Sequence, residues 1–254
     1  MFPAPGEPIV DVSRRKFVQG ASAVVAGGIV LGANAQLARS AFGSGSDEIK
    51  IGLIGCGGRG RGAALQALGT SGKVTLWSMA DAFIDRVEES ANFIKSHVSE
   101  EQGRNNLRFK DSAVDVPKER QFVGFDGYQK VIDSGVDLVI LATTPGFRPI
   151  HYEAAVKAGK HVFAEKPVAV DATGIRRFLA ANEEAKKQNL KVGIGLQRRH
   201  DPRYIETIAA LQDGAIGDIE FTRVYWNGST PWVKVREPNW SEMTYQMRNW
   251  YFFV

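Results

Sequence analysis

A chain of 254 residues, 44% hydrophobic and 24% charged, has an ordinary globular composition and the length for one large or two modest domains. Its formal charge of +4 is too small, and its basic residues are too scattered, for a nucleic-acid surface; the pairs Arg176-Arg177, Lys186-Lys187 and Arg198-Arg199 read as solvated faces. One cysteine, Cys56, excludes an intramolecular disulfide, so the fold must rest on its core.

The N-terminal segment reads as an export signal. Arg14-Arg15-Lys16 precedes an uncharged run from Phe17 to Ala38, rich in Ala, Gly and Val, that ends near the small-residue triplet Ala33-Asn34-Ala35. The paired arginines before Phe17 and the glycine-softened apolar run resemble a twin-arginine signal, which implies the twin-arginine export machinery as a partner and a periplasmic or exported location. A membrane anchor is the alternative, but Gln19, Ser22, Asn34 and Gln36 weaken a span. Residues 1–35 are therefore expected to be the signal, and residues 36–47, with their Gly and Ser, a linker.

Residues 49–54 form an apolar run that leads directly into Gly55-Cys56-Gly57-Gly58-Arg59-Gly60 and then a helical stretch from Ala63. This is the G-x-G-x-x-G pattern between a strand and a helix. Gly55 would permit the tight turn, Gly57 the approach of a pyrophosphate to the backbone, and Gly60 the packing of helix on strand, with the helix amides facing the anion. Cys56 falls at a variable position of the loop and reads as a small packed residue without a redox role.

The next strand, residues 74–80, ends in Asp81, placed to accept hydrogen bonds from the ribose hydroxyls of NAD. The interval from Gly55 exceeds the usual ~20 residues, which the turn at Gly69-Thr70-Ser71-Gly72 absorbs. A carboxylate there disfavours the 2′-phosphate of NADP, although Arg86 keeps NADP open; the structural alternative for Asp81 is a helix cap.

An amphipathic helix with Ile84, Val87, Ala91, Ile94 and Val98 on one stripe follows. The polar stretch from Ser99 to Arg120 has no clear period and reads as a surface insertion. Residues 122–125 supply a short strand, Tyr128 to Ile132 a helix, and residues 138–142 an apolar strand of the parallel-sheet kind. The alternation predicts an α/β fold with a doubly wound parallel sheet.

Two later segments, Ala142-Thr143-Thr144-Pro145 leading to His151, and residues 159–167 containing Glu165-Lys166-Pro167, resemble the signatures of the Gfo/Idh/MocA family of sugar and cyclitol dehydrogenases. With the glycine loop, the resemblance covers roughly residues 48–225. It implies a Rossmann domain (48–170) followed by connecting helices and the start of a second α/β domain (171–254), with hydride passing between a carbohydrate-type substrate and nicotinamide. The family's catalytic lysine falls on Lys166, at a strand's carboxyl end, where a cation can stabilise a developing alkoxide. By the same resemblance Glu165 contacts the nicotinamide ribose and Pro167 is a candidate cis residue.

Thr143, Thr144 and Pro145 end a strand where small side chains let the cofactor lie against the backbone. His151 reads either as a cofactor neighbour or as a capping residue. Residues 191–196 give a further strand, with Gln197 beyond its end as a cofactor contact. A helix from Pro202 presents Ile205, Ile208, Ala209 and Leu211, and the alternation from Ile219 reads as the first strand of the second domain.

Family members usually carry a histidine, with an aspartate shortly before it, in the second domain, and no such pair follows His200. The apolar run from Trp250 to Val254 reads as a poor natural terminus, which suggests a fragment of a longer protein that is homo-oligomeric when complete. The leading functional expectation is an exported oxidoreductase acting on a sugar, aldose or polyol. The alternatives are an NAD-dependent glycosidase acting by transient oxidation and a catalytically silent binding protein.

Overall fold

The computed structural model describes residues 48–253, so the expected signal and linker lie outside the described residues. Strand β1 (Glu48–Ile54) is buried on alternate sides by its own alternation. Ile51 and Leu53 pack with one set of helices, while Ile54 packs with another. A strand buried on both faces belongs in the middle of a parallel sheet.

The chain then alternates: helix α1 (Gly58–Leu68), β2 (Lys73–Asp81), α2 (Ile84–Gly103), β3 (Ala113–Val114), β4 (Gln121–Val123), α3 (Gly127–Asp133), β5 (Leu138–Leu141), α4 (Arg148–Lys157), β6 (His161–Ala164), α5 (Ala172–Lys187) and β7 (Val192–Ile194). All strand pairs are parallel, in the order β3-β2-β1-β5-β6-β7, with β4 also on β2. Helices α1 and α2 cover one face through Ala64, Leu68, Val87, Ile94 and Val98; α3, α4 and α5 cover the other through Val131, Tyr152, Val156 and Phe178. Each fully buried large apolar side chain contributes about 1.5–3 kcal/mol of transfer free energy. The strand order reverses between β1 and β5, and ligands bind such sheets outside the carboxyl ends at that point.

Three expectations need correction. The stretch from Ser99 to Arg120 is not a loose insertion: α2 continues to Gly103, Phe109 is buried, and β3 extends the edge of β2. Pieces of two or three residues are too short to show a period in sequence. The parallel sheet does not stop near residue 170, because β7 pairs with β6 from Val162↔Val192 to Ala164↔Ile194. Lastly, the segment from Ile219 forms no strand. Val224 and Trp226 are 87% and 84% exposed there, and a strand's donors and acceptors need a neighbouring strand that no described residue supplies.

Helix α6 (Pro202–Gln212) forms where expected, with Asp201 capping it by accepting from the Arg203 amide at 3.1 Å. Its apolar side chains Ile205 and Ile208 remain about half exposed, at 54% and 50%. Helix α7 (Glu242–Arg248) is fastened to α2 by Arg248, which donates to both carboxylate oxygens of Asp85 at 2.8 Å.

Candidate functional site

The glycine loop sits at the topological switch point. Gly55 has φ +98°, and a Cβ there would lie 2.5 Å from the Thr143 amide nitrogen, so only glycine suits the turn. At Gly60 a Cβ would lie 1.9 Å from the Gly55 carbonyl oxygen, which makes the close approach of α1 to β1 dependent on its absence. Around Gly57 and Gly58 there is open space, with nothing within 4 Å of where a Cβ would stand.

The ladder of α1 begins with the Arg61 amide donating to the Gly57 carbonyl, so the amides before it have no intrahelical acceptor. No side chain caps this helix and no acidic residue stands in its first turn. An open glycine face in front of uncapped amides is a cradle for an anion, and a pyrophosphate fits it.

Cys56 is buried and serves as an internal anchor of the loop. Its amide donates to Asp81 Oδ2 at 2.8 Å, its carbonyl accepts from Ser90 Oγ, and its thiol donates to the Ala80 carbonyl at 3.3 Å. Burial, with the Asp81 carboxylate nearby, raises the thiol pKa well above its ordinary value, which leaves an unreactive thiol.

Asp81 therefore spends one oxygen on the loop and the other on the Phe83 amide at 3.1 Å. Burial raises its carboxyl pKa, while the Cys56 and Phe83 amides and Arg86 oppose the shift. It lines a pocket with Phe125, Tyr128, Thr143, Phe147 and His151, built from the ends of β2, β4 and β5 and the starts of α3 and α4. Aromatic walls beside a carboxylate are the chemistry that holds a flat base and a ribose diol.

Of the two readings of His151, the capping role falls. Phe147 is the N-cap of α4, and His151 lies inside the first turn with its amide donating to the Phe147 carbonyl. Its ring is buried, stacks on Tyr128 at 4.3 Å between centroids, and meets Thr143 Oγ1 at 3.2 Å. Desolvation pushes its pKa down to about 4, so it is neutral near pH 7.

On the other side of the switch point lies Glu165, buried at the end of β6, with Lys166 exposed beyond it. The Lys166-Pro167 bond is cis, as the resemblance implies. Arg59, from the glycine loop, donates through Nε to Glu165 Oε1 at 2.7 Å. Thr144 and Pro145 lie in the turn between β5 and α4, where the Thr144 carbonyl accepts from the Phe147 amide. Gln197 opens an exposed turn beyond β7 and lines a different, open pocket with Arg198, Asp201 and Tyr204. The described residues thus bring together the loop, Asp81, Thr143 and His151 on one side, and Arg59, Glu165 and Lys166 on the other.

Sequence reasoning missed two residues. Arg148 is only 5% exposed, donates through Nη1 to the Pro167 carbonyl and keeps Nε buried without an acceptor among the described residues. Desolvation pushes its pKa down to about 10, partly offset by the Glu165 charge, so it remains cationic. An arginine set in an otherwise apolar helix start was the available signal. Tyr128, read only as a helix start, also forms a wall of the aromatic pocket.

A doubly wound parallel sheet with an anion cradle at its switch point defines a dinucleotide-binding domain of the Rossmann class. The model of the oxidoreductase family with an NAD-binding Rossmann fold, Gfo/Idh/MocA, matches residues 49–194, and the chain belongs to this family.

Among its relatives, inositol 2-dehydrogenase of Acidothermus cellulolyticus is 30% identical over 172 residues, which cover 67% of this chain and 42% of that protein. Inositol 2-dehydrogenase 1 of Saccharopolyspora erythraea is 42% identical over 86 residues, covering 34% and 25%. The crystal structure of apo scyllo-inositol dehydrogenase from Lactobacillus casei is similar over 68% of this chain and 43% of that one, at 22% identity and a TM-score of 0.48. The chain spans less than half the length of these relatives.

Proposed function

We propose that the protein is an exported NAD-dependent dehydrogenase that oxidises a hydroxyl of a polyol or sugar, cyclitols of the inositol type being the first class to test. The observation that carries the reading is Lys166, exposed at the carboxyl end of β6 beside Glu165 and across the crevice from the glycine loop. NAD, when bound, supplies the carbon that accepts hydride. As the reacting hydroxyl gives up its proton to solvent and its carbon gives a hydride to the nicotinamide, the Lys166 ammonium donates a hydrogen bond to that oxygen and stabilises the negative charge that develops there. Glu165 accepts from the nicotinamide ribose, and Asp81 from the adenosine ribose. The cradle of α1 holds the pyrophosphate. The substrate class is supported by the inositol dehydrogenases among the relatives, and export by Arg14-Arg15 before the soft apolar run.

The test is turnover by the full-length protein of a panel of cyclitols, aldoses and glycosides with NAD. Release of NADH with a ketone or lactone product is expected, and Lys166→Ala should lower kcat by about two to four decades. Lys166→Arg should rescue poorly, because a planar guanidinium does not replace a compact ammonium in a fitted site. Glycoside cleavage without net NADH would replace the dehydrogenase reading with a glycosidase. Near-parental kcat in Lys166→Ala would remove the catalytic role of the lysine.

A further inference from the structure

Arg59 and Glu165 form an ion pair across the crevice that the dinucleotide must enter, and its two ends differ in character. The Glu165 side chain is 6% exposed, whereas that of Arg59 is 47% exposed on the first turn of α1, within the anion cradle. The carboxylate is closely confined: a Cβ at Gly195, just beyond β7, would lie 2.7 Å from Glu165 Oε1. The guanidinium is held only at the surface, by contacts that are half exposed to water. It meets Glu165 through Nε alone, and its remaining contacts are with Gln66 Oε1 at 3.2 and 3.3 Å. Arginine binds phosphates best through two parallel donors, and here the paired terminal nitrogens are spent on the neutral Gln66 amide oxygen, a weaker acceptor than a phosphate.

We propose that Arg59 is an exchangeable contact: before the dinucleotide binds it holds the Glu165 carboxylate, and on binding it moves to the pyrophosphate and releases Glu165 toward the nicotinamide ribose. This rests on the dinucleotide reading of the site. Losing its partner would ordinarily leave a buried carboxylate uncompensated, which is strongly unfavourable. Arg148 lowers that obstacle. It is buried on α4 with its Nη1 anchored on the Pro167 carbonyl, and although it makes no direct ion pair with Glu165 its charge acts on that carboxylate, which offsets part of the cost when Arg59 leaves. The exchange makes Glu165 a competitor of the pyrophosphate for Arg59. It also couples occupation of the phosphate cradle to the freeing of the ribose acceptor.

ADP separates the two steps, since it carries a diphosphate but no nicotinamide ribose. Calorimetric titration of ADP and NAD into the full chain, Arg59→Met, Glu165→Gln and the double variant reads the exchange directly. Arg59→Met should weaken both ligands about tenfold, the loss of a charge-assisted contact. Glu165→Gln should tighten ADP about three- to tenfold by removing the competitor, while NAD gains less or weakens because its ribose loses an acceptor. In the Arg59→Met background, Glu165→Gln should no longer tighten ADP.

Unchanged ADP affinity in Arg59→Met, or tightening by Glu165→Gln that persists without Arg59, would overturn the exchange and leave the pair as a fixed structural bridge. A parent that binds neither ligand removes the dinucleotide reading and the exchange with it. Ligand-free melting of each variant identifies any that do not fold. If Glu165→Gln is among them, Arg59→Met and Arg59→Lys decide on ADP alone, with Arg59→Lys expected between the parent and Arg59→Met.

Discussion

Two side chains of the aromatic pocket show how one residue can serve both fold and ligand. Asp81 accepts from the Cys56 and Phe83 amides, so it fixes the glycine loop as well as facing the pocket proposed for adenosine. Calorimetric titration is expected to show NAD binding more tightly than NADP. Asp81→Ser should narrow that gap by about 1–3 kcal/mol, the range for hydrogen bonds to a charged group, and should weaken both ligands because the Cys56 amide loses its acceptor. Tighter binding of NADP by the parent would refute the ribose assignment.

His151 contributes through its desolvation. Its folded pKa of about 4 lies below the ordinary 6.5, so between those values the unfolded chain takes up a proton that the folded one refuses. Stability should therefore fall as pH drops through that window, by about 2 kcal/mol from this residue between pH 7 and pH 5. Urea midpoints at the two pH values should show the slope flattened by that amount in His151→Gln; an equal slope in both proteins would mean that the imidazole is solvated.

At the scale of elements, the site depends on how closely α1 approaches β1. Gly60 faces the Gly55 carbonyl so tightly that an added methyl group must move backbone, not a flexible side chain. Gly60→Ala should cost about 1–3 kcal/mol by overpacking, read as a lower urea midpoint with unchanged slope, and should weaken NAD binding by displacing the amide cradle. A stable variant with parental affinity would show that the loop has slack. The same scale explains the misreadings. Helix α2 and strand β5 are long or apolar enough for their periods to be visible, whereas β3 has only two residues and its strand character comes from pairing with β2. The apolar faces of α6 and of the stretch from Ile219 were legible as patterns. What they pack against was not, since pattern specifies a face and not its partner.

For the whole molecule, the export reading rests on residues outside those described, and its test is cellular. Replacing Arg14 and Arg15 with lysines should hold the precursor in the cytoplasm, read by fractionation; unchanged export would overturn the twin-arginine assignment. Among the described residues no helix is long and apolar enough to cross a membrane. The sequence by itself determined the doubly wound class, through the alternation of apolar runs and amphipathic helices. It also determined the place of the cofactor loop, because Gly55 and Gly60 are required by backbone geometry that no other residue satisfies. The family was legible for the same reason, in the local spacing of Glu165-Lys166-Pro167 and the glycine loop. Tertiary structure alone decided which distant groups meet: Arg59 with Glu165, Cys56 with Asp81, and Arg148 with the Pro167 carbonyl. Those contacts join residues from the loops and helix starts that follow different strands at the sheet's carboxyl edge, and strand order, which no local pattern encodes, sets the neighbours there.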